Sequence, residues 1–99
     1  MVAYGPDMKV LLVYPPKKVR GLNYMSPPVY SLGLLSIAAV LEREGVEVRI
    51  LDAYAEGLTY PRIRRRIGSE RPDVIGVTAT TPTAGSALRV ARLAKDVFP

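Results

Sequence analysis

The chain has 99 residues, 48% of them hydrophobic and 23% charged, which is the composition of one ordinary globular domain. By the usual size scaling such a chain buries somewhat over ~60% of the surface it exposes when unfolded, enough for one modest core and too little for two domains. Neither cysteine nor histidine occurs, so these residues supply no disulfide, thiolate zinc site, iron–sulfur ligand, histidine-bound metal or Cys- or Ser-His nucleophile system. The longest apolar stretch, residues 32–41, falls short of the ~20 residues of a spanning helix, and residues 1–7 do not read as a signal peptide. The sequence thus predicts a cytoplasmic protein without a membrane partner.

The net charge of +5 is unevenly placed. Residues 1–60 carry six basic and six acidic groups, whereas residues 61–99 carry eight basic and three acidic ones. Residues 1–7 read as an N-terminal extension, and the folded domain is expected over residues 8–99.

Residues 8–14, Met-Lys-Val-Leu-Leu-Val-Tyr, form a nearly unbroken apolar run stopped by Pro15-Pro16, the pattern of a strand buried on both faces of a parallel sheet. Residues 15–31 hold Pro15, Pro16, Gly21, Pro27 and Pro28 among basic side chains, a loop far longer than the 2–6 residues usual between strand and helix and so a candidate for function. Ser31 is placed to cap a helix over residues 32–44, with Gly45 as its left-handed terminator. Val46, Val48 and Ile50 then alternate with Glu47 and Arg49, which predicts a strand at a sheet edge.

Thr59 and Pro61 suit the start of a second helix whose inner face is Tyr60, Ile63 and Ile67, with Arg62, Arg64, Arg65 and Arg66 around the rest. Pro72-Asp73 precedes a third apolar run, residues 74–78, read as another buried strand. Thr81-Pro82 opens a third helix with Ala84, Ala87, Leu88, Ala91, Ala94 and Phe98 along its expected inner stripe.

The order βαβαβα means a parallel sheet with right-handed crossovers and helices on both faces. The long first loop and the wetter second strand favour the flavodoxin-like (Rossmann-like) doubly wound arrangement with strand order 2-1-3. Two further strands normally follow, so the sequence reads as truncated before strands 4 and 5. A third strand with a bare apolar edge invites pairing with another chain, which predicts a possible partner in a second copy.

In open α/β sheets ligands bind beyond the carboxyl ends of the strands where chain order reverses, here between strands 1 and 3. Tyr14-Pro15-Pro16 and Thr78-Ala79-Thr80-Thr81-Pro82 meet at that point. Their chemistry is hydroxyls, backbone amides and small side chains, which suits holding a ligand rather than transforming it. The alternative is purely local: Thr81 caps the third helix, and Thr78 and Thr80 satisfy loop amides.

Other doubly wound functions fail on missing residues. The first loop lacks Gly-x-Gly-x-x-Gly, no glycine loop leads to a Walker lysine, and the ends of strands 1 and 3 lack a receiver domain's acids. Asp52 ends the second strand, where it either meets a ribose hydroxyl or, without the glycine fingerprint, serves as a turn aspartate. The arginine run has no aromatic platform beside it and reads as a solvated helix face, so nucleic acid is not an expected partner.

Four segments together carry a family resemblance. They are Met8-Lys-Val-Leu-Leu-Val-Tyr-Pro-Pro; Pro27-Pro28 leading to Leu32-Gly33-Leu34-Leu35-Ser36-Ile37-Ala38-Ala39 and Gly45; Val48-Arg-Ile-Leu-Asp52-Ala53; and Arg71-Pro-Asp73-Val-Ile-Gly76-Val-Thr-Ala-Thr-Thr81-Pro82. In this order and spacing the chain resembles the N-terminal cobalamin-binding domain of class B radical S-adenosylmethionine (SAM) enzymes. That group includes cobalamin-dependent methyltransferases and the anaerobic magnesium-protoporphyrin IX monomethyl ester oxidative cyclase.

The resemblance implies a module, not itself an enzyme, that holds cobalamin at the carboxyl edge of its sheet. The corrin would face a downstream radical SAM barrel of the same chain, which carries SAM and a [4Fe-4S] cluster. It also implies cofactor contacts from Tyr14, Pro15, Pro16, Leu32, Gly33, Thr78, Ala79, Thr80, Thr81 and Pro82. Cobalamin domains of the methionine-synthase type ligate cobalt through Asp-x-His-x-x-Gly after strand 1, whereas this sequence has Tyr14-Pro15-Pro16 there. The expected mode is therefore His-off. That departure also motivates an alternative, a cofactor-free flavodoxin-like interaction domain that contacts a partner through its apolar first helix and basic second helix.

Overall fold

The computed structural model describes residues 8–16 and 32–99. The expected extension over residues 1–7, the Ser31 cap, and Pro27 and Pro28 of the long loop lie outside them. The described elements are β1 (Lys9–Tyr14), α1 (Leu32–Arg43), β2 (Glu47–Asp52), α2 (Tyr60–Glu70), β3 (Val74–Val77), a 3-10 turn (Thr81–Thr83) and α3 (Ala84–Val97).

All three strands are parallel, in the order β2-β1-β3, as the doubly wound flavodoxin-like reading requires. β1 is central because its side chains are apolar in both directions. Val10 and Leu12 point to the α1 side, and Leu11 and Val13 to the side of α2 and α3. Tyr14 is in register with Asp52, and Val13 with Val77, so the carboxyl ends of all three strands reach one edge together.

α1 ends as expected, with Gly45 at φ +80°, a left-handed position that favours a residue without Cβ. α2 starts at an extended Thr59 and carries Pro61 in its first turn, and Ile63 and Ile67 are fully buried. The Thr59 hydroxyl makes no cap hydrogen bond. At the opposite, amino edge of the sheet, Lys9 Nζ lies 2.8 Å from Glu70, and the Lys9 amide donates to Asp73 Oδ2 at 2.8 Å. The Lys9 hydrogen bond holds the Glu70 carboxyl below the usual carboxylate range.

Two expectations are corrected. β3 is not buried on both sides: Val74 is 48% exposed and Ile75, Gly76 and Val77 are half-buried, because among the described residues β3 borders β1 alone. The inner stripe of α3 is Thr83, Ala87, Val90 and Ala94, with Leu93 and Val97 beside it, while Ala84, Leu88, Ala91 and Phe98 face outward. Both stripes repeat at helical spacing and share Ala87 and Ala94. The ~100° step per residue separates them by less than one residue's turn.

Candidate functional site at the carboxyl edge of the sheet

The carboxyl end of β1 turns sharply at two prolines. Pro15 is fully buried and Pro16 half-buried, so this wall is stiff and carries no backbone donor. Tyr14 and Asp52 close the β1–β2 ladder, and the Ala53 amide donates to the Tyr14 carbonyl at 3.0 Å. Tyr14 is half-buried, with its ring 6.2 Å from that of Tyr54 at 49°.

Asp52 serves the turn. Its buried Oδ1 accepts from the Ala55 amide at 2.9 Å, and its carbonyl accepts from the Glu56 amide at 3.1 Å. With Oδ1 engaged locally, Asp52 acts as the turn aspartate.

Beyond β3 the chain crosses the edge toward the α2–α3 side. The Thr78 amide donates to the Val13 carbonyl at 3.1 Å, continuing the ladder one residue past the strand. Thr78 is half-buried, whereas Ala79, Thr80 and Thr81 are exposed. The helix start differs from expectation: Thr81 does not cap it, and a 3-10 turn precedes α3. The cap is a Thr80–Thr83 pair. Buried Thr83 Oγ1 accepts from the Thr80 amide at 2.8 Å and lies 2.9 Å from the Thr80 hydroxyl.

This division settles which hydroxyls are committed. Thr80 and Thr83 satisfy one another, while the hydroxyls of Thr78 and Thr81 have no hydrogen-bond partner among the described residues. Pro82 sits in the middle of the 3-10 turn. Leu32, 78% exposed, and Gly33 open α1, and the parallel connection from β1 to β2 places that end of the helix at the same edge.

The ten residues singled out from the sequence thus fall on three segments at one edge, with β1 and β3 adjacent and the start of α1 on the other face of the sheet. Thr83 was missed, although a threonine three residues after Thr80 is a variant of the capping-box spacing that marks a helix start. Among the described residues no cluster of three acidic, histidine or cysteine side chains could hold a metal ion. No helix of the described residues is long and apolar enough to cross a membrane.

Comparison with known proteins gives this edge a context. The family model described as "B12 binding domain" matches residues 23–99. The chain belongs to the B12-binding domain family. This B12-binding domain is 41% identical over 95 residues to a protein of Pyrococcus horikoshii named as an uncharacterized methyltransferase, covering 91% of the chain and 19% of the relative. It is 30% identical over 95 residues to the anaerobic magnesium-protoporphyrin IX monomethyl ester cyclase of Rubrivivax gelatinosus, covering 93% of the chain and 17% of that relative. The B12-binding domain therefore spans less than a fifth of the length of these relatives. No solved structure matches it significantly.

The residues present fit a corrin. The edge offers a proline wall, a small alanine and two hydroxyls not used by the fold, which suit an apolar macrocycle rimmed by amide groups. No histidine or cysteine occurs in the 99 residues to bind the metal.

Proposed function

We propose that this domain binds cobalamin at the carboxyl edge of the sheet, with the corrin against Tyr14, Pro15 and Pro16 on one side and residues 78–82 on the other. The observation that carries the reading is the division of hydroxyls after β3: Thr80 and Thr83 are consumed by the helix cap, leaving Thr78 and Thr81 for a ligand. The family match supports the choice of ligand. Bound cobalamin supplies a cobalt centre for methyl transfer or radical chemistry. The domain's residues hold and shield the cofactor, and none of these 99 contributes a histidine to the metal.

The small share of each relative that is matched supports reading the domain as one part of a longer enzyme. By the resemblance to class B radical SAM proteins, that enzyme is a methyltransferase or a cyclase of the cytoplasm, with SAM and a [4Fe-4S] cluster held by a barrel outside these residues. A Cys-x-x-x-Cys-x-x-Cys segment further along the parent chain is the expected sign of the barrel, and a parent chain without one contradicts this part of the reading.

Ala79 is exposed, so Ala79→Trp fills the edge without emptying the core. Wild-type protein is expected to retain hydroxocobalamin through gel filtration, and Ala79→Trp to lose it. Equal retention by both, or by neither, contradicts the assignment.

A further inference from the structure

The described residues form a cleft at the same edge, on the α2–α3 side, beside the proposed corrin surface. Its volume is about 430 Å³, within the size range of small-molecule sites. Tyr54, Thr59, Tyr60 and Arg89 line it, with Pro16 as the wall shared with the corrin edge. The Arg89 guanidinium lies over the Tyr60 ring, 3.9 Å from its centroid. A guanidinium seated on a ring face in this way keeps its N–H donors for other acceptors.

The charge around this arginine is unbalanced. Among the described residues, Arg89 has no carboxylate partner and no acidic side chain lines the cleft. The acids of the neighbouring turn are engaged elsewhere: Asp52 with the Ala55 amide, and Glu56 with Arg66 at 3.3 Å. The Thr59 hydroxyl is not spent on capping α2. A stacked, unpaired guanidinium beside a free hydroxyl and two tyrosine rings matches a phosphate carried on a flat, apolar body.

We infer that this cleft is a phosphate-ester subsite, with Arg89 and Thr59 taking the phosphate and Tyr54 and Tyr60 flanking the body of the ligand. The phosphate belongs either to a separate small molecule or to the phosphodiester of a cobalamin nucleotide tail.

The test is an amide-shift titration of the 99-residue protein with phenyl phosphate and with inorganic phosphate. Saturable shifts are expected at residues 57–60 and at Arg89, with phenyl phosphate the tighter probe. Arg89→Gln is expected to weaken binding about tenfold or more, the loss that goes with one charge-assisted contact. Arg65→Gln, on the solvent face of α2, is expected to change it by less than about twofold, as a screened surface charge should. Equal losses in the two variants, or shifts spread over residues 62–66, mean nonspecific attraction to a basic protein and overturn the proposal, as does the absence of saturable shifts.

Hydroxocobalamin and cobinamide, which lacks the nucleotide, serve as competitors. Displacement of phenyl phosphate by cobalamin alone assigns the subsite to the tail phosphate, and displacement by neither assigns it to a separate phosphate ester. Displacement by both means that the corrin itself fills the cleft, which overturns the phosphate assignment.

Discussion

The two faces of the sheet are built to different standards. On the α2–α3 side, Leu11, Val13, Leu51, Ala53, Ile63, Ile67, Val90 and Ala94 form one closed cluster, most of it with no solvent exposure at all. Among the described residues the buried set on the α1 side is smaller, Val10, Leu12, Leu34, Ala38 and Val46, and α1 has Leu32, Leu35, Ile37 and Val40 from 42% to 78% exposed. Among the described residues one helix covers the second face where two cover the first. The α2–α3 side is therefore the better-closed core of the described structure.

The largest test of this contrast is a pair of core truncations. Ile63→Ala opens a hole in the closed cluster and is expected to cost about 3–5 kcal/mol in denaturant unfolding. Leu34→Ala, beside open surface that can relax, should cost about 2 kcal/mol, the low end for such changes. Equal costs would break the comparison.

A smaller effect is expected where the α2–α3 side meets the ligand edge. Thr83→Val removes the acceptor of the Thr80 amide and is expected to cost about 1 kcal/mol. Because the freed Thr80 hydroxyl then competes for the ligand, the same variant should also alter cobalamin retention, whereas Ile63→Ala should not while it remains folded.

The smallest concerns the amino edge, away from both clefts. Glu70, lowered chiefly by the Lys9 hydrogen bond, contributes stability that is fully present above its unfolded pKa and is lost as pH falls through its lower folded value. Urea midpoints of wild type and Glu70→Gln should differ modestly at pH 7 and converge below that folded value. A gap that persists there would mean that Glu70 acts through packing rather than charge.

Much of this architecture is legible in the sequence because it follows from local pattern. The unbroken apolar run before Pro15-Pro16 marks β1 as a buried strand, the long loop after it and the Val48/Ile50 alternation place β2 at an edge, and Gly45 ends α1. The fold class and the 2-1-3 order follow from these. What the pattern misreads depends on partners distant in sequence. The α3 stripe is ambiguous because Ala87 and Ala94 belong to both candidate faces, and only packing against Ile63 and Ile67 selects the one with Val90. The exposure of Val74 follows from what lies beside β3, which no residue of β3 encodes.

The site divides the same way. The topology places Tyr14-Pro15-Pro16 and residues 78–82 together, and the sequence suffices for that. It does not show that Thr80 rather than Thr81 is tied into the cap, since the choice turns on the 3-10 geometry around Pro82. Nor does it signal Arg89, whose pairing with Tyr60 exists only once α2 and α3 pack.

The proposed ligand meets the carboxyl edge of the sheet. The most direct measurement is an amide-shift map of the 99-residue protein titrated with hydroxocobalamin. Shifts are expected at Tyr14, Leu32, Gly33 and residues 78–81, with Lys9, Glu47 and Asp73 at the amino edge unmoved. Shifts centred on the amino edge, or none at saturating cofactor, would contradict this placement.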